Sequence, residues 1–180
     1  NVKRQPLCCL LGPQDRRQDF EGEAGDALRE QLLVLLRKAH AEGIGQFGCC
    51  CGVSFSLLAG EAIMQLKEEM EPGTVQMVLS MPNVPQDTSF WSEEEKARQN
   101  EIFYSADHIS HCPNEVMPPD QAGAEEYLIR AATHAIVYFS PDRERDLSML
   151  RVIDFFGIPH CNLAQKRRRG GSRAGAEETV

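Results

Sequence analysis

The most constraining feature of this sequence is the regular alternation of short apolar runs with longer amphipathic segments. Such alternation is typical of βαβ units, in which a helix follows each strand and crosses back over the sheet. Because these crossovers are right-handed, the pattern predicts an α/β fold. We expect a Rossmann-like three-layer sandwich, with a mostly parallel sheet of about five to six strands and helices on both faces.

The strands are predicted from apolar runs, most of which end at a Gly or a Pro. The run at 74–81 is almost entirely apolar, as expected where helices cover both faces of a parallel sheet. The six predicted strands cover approximately residues 5–11, 44–51, 74–81, 108–112, 135–139 and 158–163.

Five helices are predicted between these strands from apolar stripes and from end signals. Asp26 is a candidate N-cap for the first, Ser92 and Glu95 form a capping box for the third, and Ser140-Pro141 is a start signal for the fifth. Gly43 and Gly157 are candidate C-terminal glycines. The predicted helices cover approximately 26–40, 54–70, 92–105, 121–132 and a segment from 140 to 156.

The length and the net charge of the chain limit its domain organisation and its possible partners. The 180 residues predict one domain over 1–164 and a disordered basic tail over 165–180. The net charge of −8 argues against nucleic acid as a partner, because such affinity comes from Lys and Arg that neutralise phosphates. No apolar run is long enough to span a bilayer and no signal peptide opens the chain, so we expect a cytoplasmic protein without a membrane partner. The sequence leaves open whether the protein forms a homo-oligomer.

Two glycine-containing turns follow the first two predicted strands. One is Gly12-Pro13-Gln14, and the other is the segment Gly48-Cys49-Cys50-Cys51-Gly52-Val53-Ser54. Ligands of open parallel sheets bind at the carboxyl ends of strands, where glycine permits close approach and helix N–H groups favour anions. The alternative is that these glycines serve tight packing. No metal site is predicted.

The second turn, with the Ala59-Gly60-Glu61-Ala62 segment after it, resembles the glycine-rich motif of the SLOG superfamily. The closest likeness is to its YpsA-like branch of small bacterial proteins. Agreement extends in order over about residues 5 to 163, through Met81-Pro82, the segment Trp91-Ser92-Glu93-Glu94-Glu95, Tyr104-Ser105-Ala106-Asp107 and the strand at 135–139. The superfamily includes the "lonely guy" phosphoribohydrolases and the DNA-processing A-like proteins.

The resemblance implies a Rossmann-like domain that binds or senses a nucleotide or a nucleotide-derived molecule, without evident catalysis. The implied ligand-binding residues are Gly12, Pro13, Gln14, Gly48, Cys49, Gly52, Ser54 and Trp91.

The sequence also departs from the family at polar positions. Gln14 replaces an arginine, Ser54 replaces an aspartate, and the charged segment 142–146 replaces a Gly-Gly-Thr-like loop. Two alternatives therefore stay open: an N-glycosidase or phosphoribohydrolase with Glu61 as its base, and a non-enzymatic interaction protein with a degenerate pocket. Trp91 either stacks on the ligand or packs ahead of the Ser92 cap.

Overall fold

A computed structural model of the protein describes residues 5–111 and 121–164, and it contains one sheet of six parallel strands. The strand order is β4-β3-β2-β1-β5-β6, and every neighbouring pair is parallel. The predicted α/β class and parallel sheet are confirmed. The strands are β1 (Leu7–Leu11), β2 (Gln46–Cys50), β3 (Gln76–Met81), β4 (His108–His111), β5 (His134–Val137) and β6 (His160–Asn162).

Five α-helices cover the two faces of this sheet. The first three pack on one face and the last two on the other, as right-handed crossovers require when the chain passes from β4 to the far side of β1. The helices are α1 (Gly22–Ala41), α2 (Phe55–Glu69), α3 (Glu93–Ser105), α4 (Gln121–Ala131) and α5 (Glu144–Phe155). No helix in the described ranges is both long and apolar enough to cross a bilayer.

The strand side chains alternate between two hydrophobic cores, as the period of two in a β-strand requires. In β1, Cys8 and Leu10 pack towards α1 and α2, whereas Cys9 and Leu11 pack towards α4 and α5. The consecutive cysteines of the sequence therefore serve as small apolar groups of both cores. The six cysteines that the structure describes are free thiols, and burial raises the pKa of Cys8 and of Cys49 to about 12.

Two predicted helix starts are wrong. Helix α1 begins at Gly22 rather than after Asp26, because a 3₁₀ turn at Gln18–Phe20 and the positive φ of Gly22 (56°) turn the chain earlier. Helix α5 begins at Glu144 rather than at Ser140-Pro141. The backbone N–H of Ser140 donates to the Asp146 carboxylate at 2.8 Å, so residues 140–143 form a turn instead.

Other end signals agree with the structure. Ser92 and Glu95 form the reciprocal capping box, and Gly43 follows α1 with a φ of 106°. The predicted basic tail at 165–180 lies outside the described residues. The prediction of one domain over 1–164 stays a prediction.

The carboxyl end of β1 is packed tightly against the first turn of α2. A methyl group at Gly12 would overlap Cβ, Cγ and Cδ1 of Phe55, so only glycine fits between the strand end and this ring. Phe55 is fully buried and contacts the rings of Phe20 and Tyr138. This packing fixes where α2 begins relative to the edge of the sheet.

Gly12→Ala should therefore lower the free energy of unfolding by about 2–3 kcal/mol, because the ring cannot move out of a filled core. Gly45→Ala is the control: its Cβ would meet only the carbonyl oxygen of Thr74, at 3.3 Å, so a loss below about 1 kcal/mol is expected. Urea denaturation measures both values. Equal free energies of unfolding for the two variants would show that the Phe55 ring can move to make room for the methyl group.

Candidate ligand-binding site

The two glycine turns of the sequence lie side by side, because β1 and β2 are neighbours in the sheet. Between them stands the Gln14 side chain, whose Nε2 donates to the Ser56 hydroxyl at 2.7 Å and whose Oε1 covers Gly52. Gly12 and Pro13 are buried beneath this layer. The space between the turns is therefore filled by Gln14 and Phe55.

Gly48 and Cys49 lie within β2 and are separated from the edge of the sheet. A methyl group at Gly48 would approach Cδ1 of Leu128 to 2.7 Å, so this glycine allows α4 to pack closely on the strand. Cys49 is fully buried in the opposite core. Of the predicted ligand-binding residues, Gln14, Gly52, Ser54 and Trp91 line open space, and the other four are packed.

Ser54 has a strained backbone at the junction of β2 and α2. Its φ of 58° and ψ of −122° are values that side chains other than glycine rarely adopt. Its side chain forms no capping hydrogen bond with α2. The turn instead directs a half-buried serine towards a cavity.

The crevice between β1 and β5, where the strand order changes direction, is bridged by a buried ion pair. Arg17 follows β1 and Asp146 lies in the first turn of α5. Their side chains, 9% and 2% exposed, meet in two hydrogen bonds of 2.8 and 3.0 Å. Burial by itself lowers the pKa of Arg17, but the hydrogen bonds to Asp146 and Asp15 outweigh burial and raise it. The guanidinium is thus fixed and charged.

Further side chains occupy the same crevice. The Tyr138 hydroxyl donates to the Asp19 carboxylate, and the tyrosine ring is 4% exposed. On the other side of β5, Asn162 of β6 forms two hydrogen bonds with the backbone of Phe139, of 3.1 and 2.8 Å, and so fixes the chain that follows β5. Ligands of open α/β sheets commonly bind at such a switch point. Here that position is taken by the protein itself.

The larger open space lies on the other side of β1, where the first turns of α1, α2 and α3 converge. It is a cavity of about 840 Å³, within the size range of small-molecule sites. Its floor includes Ser54 and Leu57 of the α2 start, and its walls include Gly22 and Gly25 of α1. Phe90 and Trp91 lie at its edge.

Three arginines line this cavity, and each is held by a carboxylate. Arg16 makes a bidentate pair with Glu95 at 2.7 and 2.8 Å, which raises the pKa of the arginine and lowers that of the glutamate. Arg29 and Arg98 share Glu61, so this group of three has one positive charge in excess. Asp26 also pairs with Arg29, from a side chain that is 68% exposed, and with it the cluster has no net formal charge.

The helix ends add partial positive charge to the same space. Neither α1 nor α2 has a side-chain cap at its N-terminus, whereas α3 is capped by Ser92. The first turn of α1 presents backbone N–H groups, and the helix dipole favours an anion at both starts. In α2 the N–H groups of Ser56 and Leu57 already donate to the carbonyls of Val53 and Ser54, so this helix contributes mainly through its dipole. Two uncapped helix starts and three guanidinium groups therefore share one cavity.

Sequence reasoning missed Arg29 and Arg98, which lie on helix faces far from the glycine turns in the chain. Arg16 was likewise absent from the predicted ligand-binding residues. A signal was available in part, because Arg29 lies in the first turn of the helix predicted at 26–40. Among the residues that the structure describes, no cluster of His, Cys, Asp and Glu could hold a metal ion.

Comparisons with known proteins identify the fold. No protein-family model matches the sequence, and no curated protein matches it at a significant level. The solved structures that are similar include two with a TM-score of 0.53. DNA processing protein A from Helicobacter pylori is 11% identical, with 87% of this chain and 64% of that chain covered.

The second structure is DNA processing protein A from Streptococcus pneumoniae, which is 13% identical, with 86% of this chain and 49% of that chain covered. This chain therefore spans about half to two thirds of the length of these proteins. The likeness shows a Rossmann-like fold.

One sequence-based expectation is overturned by this comparison. The H. pylori protein has a single-stranded DNA binding mode, so the fold serves a nucleic-acid binder in that protein. The expectation that nucleic acid is an unlikely partner is therefore wrong. Net charge failed as a criterion because it averages over the whole surface, whereas binding depends on the charges at one site.

The strain at Ser54 predicts an unusual response to substitution. The free energy of unfolding of Ser54→Gly should exceed that of Ser54→Ala by about 1 kcal/mol. Glycine removes backbone strain of about 1–3 kcal/mol, and the entropy of its unfolded chain costs about 0.5–1 kcal/mol. Urea denaturation of both variants measures the difference. A less stable glycine variant would contradict the strained conformation.

The bridge across the β1–β5 crevice predicts different roles for two adjacent arginines. Arg17→Met should lower the free energy of unfolding by about 3 kcal/mol, because Asp146 is left charged and buried without its partner. Arg16→Met is the matched control and should lower it by less than about 1 kcal/mol, since the Arg16 side chain is 49% exposed. Similar losses in both variants would argue against the bridge.

Proposed function

We propose that this protein binds a nucleotide-type ligand, with a single phosphoryl group in the cavity between the starts of α1, α2 and α3. The observation that carries the proposal is the convergence of two uncapped helix N-termini with Arg16, Arg29 and Arg98 on one cavity of about 840 Å³. Phosphate oxygens accept hydrogen bonds from both kinds of donor.

The charge around the cavity favours one phosphoryl group over several. Glu21 and Glu94 stand exposed on its rim, near the half-exposed pair of Arg16 and Glu95. These carboxylates repel a polyanion such as a triphosphate, whereas a monoester or diester meets mainly the arginines and the helix ends. A nucleoside monophosphate, or one nucleotide unit of a single strand, fits this balance.

The edge of the cavity supplies an aromatic surface for a nucleoside. Trp91 is half-buried, and Phe90 is 81% exposed beside it. Aromatic rings stack on nucleobases with little sequence preference. The resemblance of the glycine-rich segment to the YpsA-like branch supports the same ligand class.

We place this function in the cytoplasm, since free cysteines are typical of a reducing compartment.

The hydrolase alternative receives less support from the geometry. Arg98 donates to both carboxylate oxygens of Glu61, and Arg29 lies 3.6 Å from one of them. We therefore assign Glu61 to holding the two arginines in place rather than to proton transfer.

Single-stranded DNA is a second candidate ligand. It is favoured by the single-stranded DNA binding of the H. pylori protein, and by the exposed Phe90 beside the cavity. A nucleotide unit within a strand presents the same base and the same phosphodiester charge. Titrations with a free mononucleotide and with a DNA strand distinguish these two ligands.

Isothermal titration with adenosine monophosphate should show binding that Arg16→Gln weakens about 10- to 100-fold, the value of one charge-assisted hydrogen bond. Arg37→Gln is the matched control, because Arg37 makes a similar pair with Glu69 far from the cavity, with side-chain exposure of 43% against 49% for Arg16. Its affinity should equal that of the wild type. Equal losses in both variants would contradict the proposed cavity.

A labelled oligothymidylate in an anisotropy titration distinguishes the second candidate. Binding of the strand that adenosine monophosphate displaces would place both ligands in the cavity. Strand binding without any mononucleotide binding would favour DNA as the ligand. Silence towards both would favour the non-enzymatic interaction protein with a degenerate pocket.

A further inference from the structure

We infer that a second, smaller cavity beside the first takes the base of the nucleotide, an inference that rests on the proposed function. This cavity measures about 310 Å³ and lies at the carboxyl ends of β2 and β3. Its walls are largely apolar. They include Val53, Pro82, Val84, Pro85 and Trp91, with the Gln14 carboxamide at one side.

The two cavities share one side chain and one turn of the backbone. Trp91 lines both of them. The turn after β2 also runs from one to the other, with Gly52 and Val53 on the smaller cavity and Ser54 on the larger. A ligand that extends past Trp91 would thus place one end in each cavity.

The chemistry of the two cavities matches the two halves of a nucleotide. The larger is lined by three arginines and five carboxylates, whereas the smaller has one charged residue, Asp87, which is exposed. An uncharged, planar heterocycle suits apolar walls with a carboxamide at the edge. A phosphoryl group suits only the larger cavity.

Glutamine side chains fix the turn that separates the cavities. Gln86 donates its Nε2 to the Cys51 carbonyl at 2.9 Å, and the Gln99 Oε1 accepts from the N–H of Gly52 at 3.2 Å. Gln14, anchored on Ser56, covers the same glycine. Three carboxamides from separate segments therefore converge on two residues of the turn.

One of these amides is retained at a cost to stability. Gln99 is 5% exposed, and within the described part of the chain its Nε2 has no hydrogen-bond partner. An unpaired buried donor costs about 1–3 kcal/mol, so a side chain of this kind is expected where it serves a purpose other than packing. Here that purpose is to hold Gly52 at the wall of the smaller cavity.

The test compares adenosine monophosphate with ribose 5-phosphate, which has the same phosphoryl group and no base. Wild-type protein should bind the nucleotide about 10- to 100-fold more tightly, the range of base stacking and burial. Trp91 is the only tryptophan of the chain, so the nucleotide should quench its fluorescence and ribose 5-phosphate should not.

Val84→Asp should remove most of this difference by placing a charge in the smaller cavity, with the affinity for ribose 5-phosphate unchanged. Val84 is 44% exposed, so the variant should fold. Val34→Asp is the matched control on the outer face of α1, where the valine is 58% exposed, and it should bind both ligands as the wild type does.

The outcomes separate this inference from the proposed function. Equal wild-type affinities for the two ligands would overturn the base site and leave the phosphoryl cavity intact. An unchanged preference for the nucleotide in Val84→Asp would also overturn the base site. Failure of both ligands to bind would overturn the proposed function together with it.

Discussion

The buried pair of Arg17 and Asp146 is the interaction on which the form of the candidate site depends. It ties the loop after β1 to the first turn of α5, across the crevice where the strand order reverses. Asp146 also accepts the N–H of Ser140, so one carboxylate holds both loops. A buried carboxylate of this kind is tolerated only while its partners stay in place, so the pair holds the two loops together across the crevice.

Closure at this point leaves the opposite side of β1 as the accessible edge of the sheet. The starts of α1 and α2 remain uncapped there, and Phe55, packed on Gly12, fixes the second of them. The strained Ser54 turn then divides the open space into a charged cavity and an apolar one. Packing, strain and charge thus act on the same few residues, as is common at binding sites.

The sequence predicts the architecture well and the site only in part. The six strands and the Ser92–Glu95 cap follow from local patterns, because apolar periodicity and capping act over a few residues. The start of α5 was wrong because Asp146 takes the N–H of Ser140 through a contact that local signals do not contain. The group of Arg29, Glu61 and Arg98 joins three helices, and its members became neighbours only through the packing of those helices. The strain at Ser54 likewise has no signature in residue type.

The central claim is that a phosphorylated ligand binds at the starts of α1 and α2 and not in the crevice between β1 and β5. Amide chemical shifts of ¹⁵N-labelled protein, followed during titration with adenosine monophosphate, test it most directly. We predict the largest shifts at residues 22–26 and 54–58, with residues 140–143 unaffected. Shifts concentrated at 140–143 would contradict this claim.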